Sequence, residues 1–237
     1  MSASASSPEH RKRLYGRRQG HSLRAHQQSL MENLLPELCV TIPDGGKTLD
    51  PAAQFDGPPE DVWIEVGFGS GEHLVAQAEA HPGIGMIGCE PYINGVAALL
   101  AQIETKVIRN IRILDDDARE LLEVLPEAAI GRAFVLFGDP WPKRRHAKRR
   151  FLGRENLNVL ARLMKDHALL RFASDDMGYA VWTLEQLIAH PAFEWTARVP
   201  GDWRIAPTDW VETRYEAKAK AAGRSPVYLE FRRLPRN

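Results

Sequence analysis

From Pro59 onward, short apolar runs alternate with stretches in which apolar residues recur every three or four positions. The runs cover residues 62–66, 84–89, 111–114, 134–137 and 168–173, and the helical patterns cover 72–80, 92–106, 118–125, 155–164 and 178–189. Strand followed repeatedly by helix predicts an α/β fold: a mostly parallel sheet with helices on both faces. Two later strand candidates, 193–199 and 227–233, are expected to pair antiparallel at one edge. Between them, 209–222 reads as a helix, with Thr208 as its N-cap and Gly223 just past its end. Ahead of Pro59 the pattern weakens to a short helix or connector over 28–40, then a stretch punctuated by Pro43, Gly45, Gly46, Pro51, Gly57 and Pro58. Residues 1–26 are Ser-rich, then basic, with few apolar positions, which predicts a flexible arm. The expected organisation is that arm followed by one globular domain over 27–237.

Composition adds bounds rather than detail. Of 237 residues, 44% are hydrophobic and 26% charged, as in an ordinary globular protein. No apolar run approaches the roughly 18 residues of a membrane span, and the first residues lack the apolar stretch of a secretory signal. Cys39 and Cys89 form neither a paired metal-ligand spacing nor a disulfide framework. We therefore expect a cytoplasmic protein without metal, although a transit peptide would share the Arg- and Ser-rich start.

The net charge of zero conceals a strong asymmetry. Residues 1–26 hold six Lys/Arg against one acid, 27–142 hold six against nineteen, and 143–237 hold nineteen against eleven. Such separation fits a polyanion partner for the basic parts, or simply surfaces that compensate within the fold.

Candidate chemistry clusters at the ends of the predicted strands. The first strand runs into Gly67-Phe-Gly69-Ser-Gly71 and then a helix, an arrangement that lets a ligand approach the backbone. The G-x-G-x-G spacing differs from the dinucleotide fingerprint. Glu65 precedes the loop, where a carboxylate would repel a pyrophosphate and attract an ammonium group. Glu90 follows the second strand at the height expected for an acid gripping ribose hydroxyls. Asp117 ends the acidic loop after the third strand, beside a possible adenine; helix N-capping is its plainer role. Together these favour S-adenosylmethionine over NAD. The fourth strand leads into Gly138-Asp-Pro-Trp-Pro-Lys143, a loop stiffened by two prolines that presents Asp139, Trp141 and Lys143. Seven Lys/Arg and no acid follow over residues 143–154. Such a run is either a solvated face or, placed beyond an active-site loop, a phosphate track.

The segment Gly138-Asp-Pro-Trp-Pro-Lys-Arg-Arg-His-Ala-Lys-Arg-Arg150, supported by the glycine loop, resembles the bacterial tRNA (guanine-N7-)-methyltransferases. The similarity extends over about residues 16–233. It implies a Rossmann-like class I methyltransferase fold with a mostly parallel seven-stranded sheet, one antiparallel edge strand and helices on both faces. It implies S-adenosyl-L-methionine as methyl donor and N7 of a guanine in the tRNA variable loop as acceptor. Asp139 corresponds to the active-site residue. Glu65, Gly67, Gly69, Gly71, Glu90, Asp117 and Asp139 correspond to the donor site. Lys143 matches a substrate contact, and Arg145, His146, Lys148, Arg149 and Arg150 match the RNA-facing stretch. Asp175 matches a further substrate residue, with Asp176 an adjacent alternative, and Thr213, Arg214, Tyr215 and Glu216 match a C-terminal substrate element. Gly138 departs from the pattern, since many relatives carry Pro there. The resemblance is compatible with a monomer or a homodimer. Two other readings keep the scaffold: a methyltransferase for a different acceptor, which leaves the basic run without a task, and a non-catalytic RNA-binding protein, which would not bind the donor.

Overall fold

The computed structural model describes residues 16–236. In chain order these form α1 (Ala25–Asn33), α2 (Leu35–Leu38), β1 (Asp61–Val66), α3 (Glu72–Ala80), β2 (Ile84–Cys89), α4 (Ile93–Lys106), β3 (Ile111–Leu114) and α5 (Ala118–Val124). There follow β4 (Ile130–Leu136), α6 (Arg154–Leu163), β5 (Met164–Ser174), α7 (Met177–Ile188), β6 (Phe193–Trp195), α8 (Gly201–Arg204), α9 (Arg214–Ala221) and β7 (Val227–Arg233). Pro36 in the first turn of α2 helps explain why the 28–40 region forms two short helices rather than one.

The strands assemble into one sheet in the order β3-β2-β1-β4-β5-β7-β6. All pairings from β3 to β5 are parallel, and β7 runs antiparallel to both β5 and β6. The reversed strand therefore lies one place in from the edge, with three-residue β6 outside it. The central strands are buried on both faces. Val62, Ile64, Leu121, Leu157, Leu160 and Tyr179 pack on the side of α5, α6 and α7. Leu74, Met86, Leu99, Leu100, Ile103 and Phe134 pack on the side of α3 and α4. No helix among the described residues is long and apolar enough to cross a membrane.

Two expected boundaries shift for long-range reasons. The last helix begins at Arg214, not near 209, and is capped by Thr213, whose Oγ1 accepts from the Glu216 amide at 3.2 Å. Thr208 is not the cap because Asp209 is captured outside the helix by Arg132 (3.1 Å) and Arg171 (2.9 Å). The predicted arm is also shorter than 26 residues. Residues 1–15 lie outside the described residues, but from Gly16 on the chain is fastened to the domain. Arg18 pairs with Asp116 at 2.9 Å and its carbonyl accepts from Ile93, while the Gly20 amide donates to Asn94 Oδ1 at 2.7 Å.

Candidate active site

Strand order reverses between β1 and β4, and in open α/β sheets ligands sit at such a reversal, beyond the carboxyl ends of the strands. A cavity of about 770 Å³ opens there, well within the size range of small-molecule sites. Its floor is the glycine loop. Gly67, Gly69 and Gly71 all adopt left-handed φ angles (74°, 58° and 84°), which side-chain-bearing residues rarely take. Gly69 is further constrained from above, where an added Cβ would lie 2.8 Å from the Tyr215 ring.

Glu90, at the end of β2, is the acid that organises this floor. One carboxylate oxygen accepts from the Gly69 amide at 2.8 Å and the other from the Tyr92 amide at 2.9 Å. Burial pushes its carboxyl up, opposed by those two amides, while the charges of Asp139 and Glu65 add to the rise. A carboxylate has about four lone-pair sites, so two remain for hydroxyl groups entering the cavity. At the end of β3, Asp117 caps α5 by accepting from the Arg119 amide at 3.0 Å and also pairs with the Arg119 guanidinium. Both residues line the cavity.

The opposite rim is the loop that follows β4. Asp139 stands exposed there, and Phe137 (φ 49°) and Trp141 (φ 43°) flank it in left-handed conformations. The basic run continues as a 3-10 turn, Arg144–Arg149. Lys148, Arg149 and Arg150 reach the cavity wall; Lys143, Arg145 and His146 lie outside it. His146 meets the Trp141 ring edge-on at 5.9 Å between centroids. Its imidazole is held below the ordinary histidine range by partial desolvation and by the neighbouring charges of Arg149, Arg145 and Lys143.

Residues 59–229 match the family described as "Putative methyltransferase". The chain is 54% identical over 226 residues to the tRNA (guanine-N(7)-)-methyltransferase of Rhodospirillum rubrum, spanning 94% of this chain and 89% of that protein. The enzyme of the same name from Paramagnetospirillum magneticum is 48% identical, with 95% and 94% covered. This chain belongs to the tRNA (guanine-N(7)-)-methyltransferase family. More distant solved structures share its fold alone. They include the aminoglycoside resistance methyltransferase NpmB1 (TM-score 0.52, 16% identity, 74% of this chain and 88% of that one) and TrmN from Thermus thermophilus (TM-score 0.52, 15% identity, 88% and 48%).

Among the sequence-predicted donor residues of this family member, Gly67, Gly69, Glu90, Asp117 and Asp139 line one cavity. Gly71 lies just behind, as the left-handed N-cap of α3. Glu65 does not face the cavity. It is 2% exposed, and its Oε2 lies 2.7 Å from Nδ1 of His73, itself buried beneath the loop. That contact ties β1 to the first turn of α3 and engages one oxygen of the Glu65 carboxylate. His73 in turn packs against Trp210 at 5.5 Å between centroids.

The substrate residues separate in a similar way. Tyr215 lines the cavity and lies over Gly69; burial raises its phenol, helped by the charges of Glu90 and Asp139. Arg214 reaches back to Ser70 Oγ at 3.3 Å. Glu216 points the other way. It is fully buried and accepts from Trp210 Nε1 (2.5 Å), Tyr228 Oη (2.6 Å) and Lys220 Nζ (2.8 Å). Asp175 pairs with Arg224 at 2.6 Å, whereas Asp176 is spent on capping α7 through the Tyr179 amide. Of the two, only Asp175 has a side chain free of a helix cap.

Sequence reasoning missed several residues around the cavity. Gly16, Arg17 and Arg119 line it, and Gly95 in α4 lies so close that a Cβ there would come within 2.2 Å of the Gly69 carbonyl oxygen. A glycine inside a helical pattern was the available signal for Gly95, since it costs helix stability unless something needs the space. No local pattern marks Gly16 or Arg17, which reach the site because the chain just after them is tied to Asn94, more than seventy residues away, through the Gly20 amide and the His21 carbonyl.

Proposed function

We propose that this chain transfers a methyl group from S-adenosylmethionine to N7 of a guanine in the variable loop of tRNA. The observation that carries this reading is one cavity shared by two features: a glycine floor organised by Glu90, and a rim where Asp139 meets the basic turn. The near-full-length similarity to enzymes named for that reaction supports it. Glu90 keeps two acceptor sites for the donor's ribose, Asp117 with Arg119 borders the adenine side, and Gly67 and Gly69 leave backbone room for the chain between. When bound, S-adenosylmethionine supplies an electrophilic methyl group on a cationic sulfur.

Guanine N7 carries a free lone pair, so this chain needs no base to remove a proton before attack. Its residues serve alignment, which can remove much of an entropic barrier, and electrostatics. The base becomes cationic as its N7 is alkylated, and the Asp139 carboxylate at the rim favours that developing charge. The basic turn holds phosphates and brings the nucleotide to the rim. N7 lies on the edge that a regular A-form helix hides in a deep, narrow groove, so the acceptor must sit in a loop or be drawn out of its stack. Work on tRNA also implies residence in the cytoplasm. Incubating the full chain with labelled S-adenosylmethionine and unmodified tRNA, then mapping the modified nucleotide, tests the reading. One N7-methylated guanine in the variable loop is expected. Label in protein or small molecules but not in tRNA would overturn it.

A further inference from the structure

Arg150 follows directly on the basic turn Arg144–Arg149, yet its guanidinium is turned inward rather than toward solvent. Its Nε donates to the Pro140 carbonyl at 2.8 Å and its Nη2 to the Trp141 carbonyl at 3.4 Å. The same group sits 5.3 Å from the centre of the buried Tyr179 ring and 5.0 Å from that of Trp182, both on α7. Arg149 next to it lies over Trp141 at 4.7 Å. The two carbonyls that Arg150 binds belong to the loop carrying Asp139. That loop has two prolines, which lack amide donors, and left-handed residues at Phe137 and Trp141. Such backbone persists only where its surroundings hold it. A planar fork that binds two carbonyls while stacking on aromatic rings is a task for which lysine is a poor substitute.

We propose that Arg150 is a positioning residue rather than a phosphate contact: it fastens the Asp139 loop to α7 and so fixes where the carboxylate stands. The proposal rests on the role given to Asp139 above. It divides a run of cations that looks uniform in sequence into an inward clamp, Arg150, and outward residues such as Arg145 and Lys148, both exposed.

The two roles differ in what salt does. Losing a phosphate contact lowers the slope of log affinity for tRNA against log salt by about 0.7–0.9, whereas losing the clamp leaves that slope alone. The experiment uses the full chain with Arg150→Gln, which removes the cation, and, as slope reference, Lys148→Ala. It measures single-turnover methylation at saturating tRNA, the salt dependence of tRNA binding, and S-adenosylhomocysteine affinity. For Arg150→Gln the expected result is a rate lowered at least tenfold with an unchanged salt slope; Lys148→Ala, the reference for a lost phosphate contact, should lose slope. An Arg150→Gln enzyme with a normal saturated rate, or with a slope reduced as far as that of Lys148→Ala, overturns the proposal. Trp182→Leu guards against a folding defect, because it removes the guanidinium's aromatic seat and no cation. It too should slow turnover at an unchanged slope, and a normal rate would count against the clamp. Failure of the wild-type chain to methylate any tRNA would sink the activity instead, leaving Arg150 to be judged on the salt slope.

Discussion

Replacing Gly95 by Ala places one methyl group between α4 and the glycine loop. The new Cβ would lie 2.2 Å from the Gly69 carbonyl oxygen, when ordinary contact begins near 3.4 Å, so helix and loop must part by about 1 Å. The backbone of Gly95 is helical, and alanine there gains up to ~1 kcal/mol in helix propensity. Overpacking costs about 1–3 kcal/mol, so the net loss of stability is modest, between about 0 and 2 kcal/mol. The larger effect falls on the donor site. A shift of that size pulls the Gly69 amide off Glu90, a 2.8 Å bond to a charged acceptor of the kind worth about 1.5–3 kcal/mol. If the donor's ribose depends on Glu90, affinity for S-adenosylhomocysteine falls about ten- to hundredfold. Titration calorimetry paired with thermal melting reads both quantities. Gly201→Ala, whose added methyl meets nothing closer than 3.7 Å, is the control. A Gly95→Ala protein that binds within twofold of wild type refutes the chain of contacts from α4 through the loop to Glu90.

Asp139→Asn should reduce methyl transfer by at least a hundredfold, in the range seen for single electrostatic groups, while S-adenosylhomocysteine binding weakens only a few-fold; retained turnover would remove Asp139 from its role. Glu65→Gln can still bond His73, so donor affinity should stay within a few-fold, and a collapse of binding would restore Glu65 as a direct contact. Glu65→Ala strands the buried His73 ring, whose Nε2 has no hydrogen-bond partner among the described residues, and should cost about 1–3 kcal/mol in urea unfolding. Burial would raise the Glu216 carboxyl, but donors from Lys220, Tyr228 and Trp210 prevail and hold it below the ordinary range. Its stabilisation is therefore complete above the unfolded value near ~4.3 and is lost as pH falls through the lowered folded value. Melting temperatures of wild type and Glu216→Gln should differ most near neutral pH and converge in acid, and a constant gap would contradict the assignment.

The period of the apolar residues made the five central parallel strands legible, since strands buried on both faces must read as apolar runs. The acids at strand ends were legible as well, because parallel strands bring their carboxyl ends to one side. What could not be read is which way each acid turns. Glu65 sits two residues before Gly67, and a histidine eight positions later folds back beneath it and bonds one of its carboxylate oxygens. Glu216 does meet Lys220, its neighbour one helical turn on, but its other two partners come from strand β7 and from Trp210, which local spacing does not show. Thr208 is the cap expected from sequence, and the capture of Asp209 by Arg132 and Arg171, invisible to local pattern, leaves the capping to Thr213. In the basic run, charge is uniform, and the fold alone distinguishes Arg150 from its neighbours.

The left-handed pair Phe137 and Trp141 has a consequence for anyone seeking a hardier version of this enzyme. Glycine at either position would relieve an unfavourable backbone angle, the sort of change that raises melting temperatures elsewhere. Here it would also free the segment that carries Asp139, the carboxylate proposed to meet the charge developing on the base, so any added robustness at these two sites would come with slower turnover.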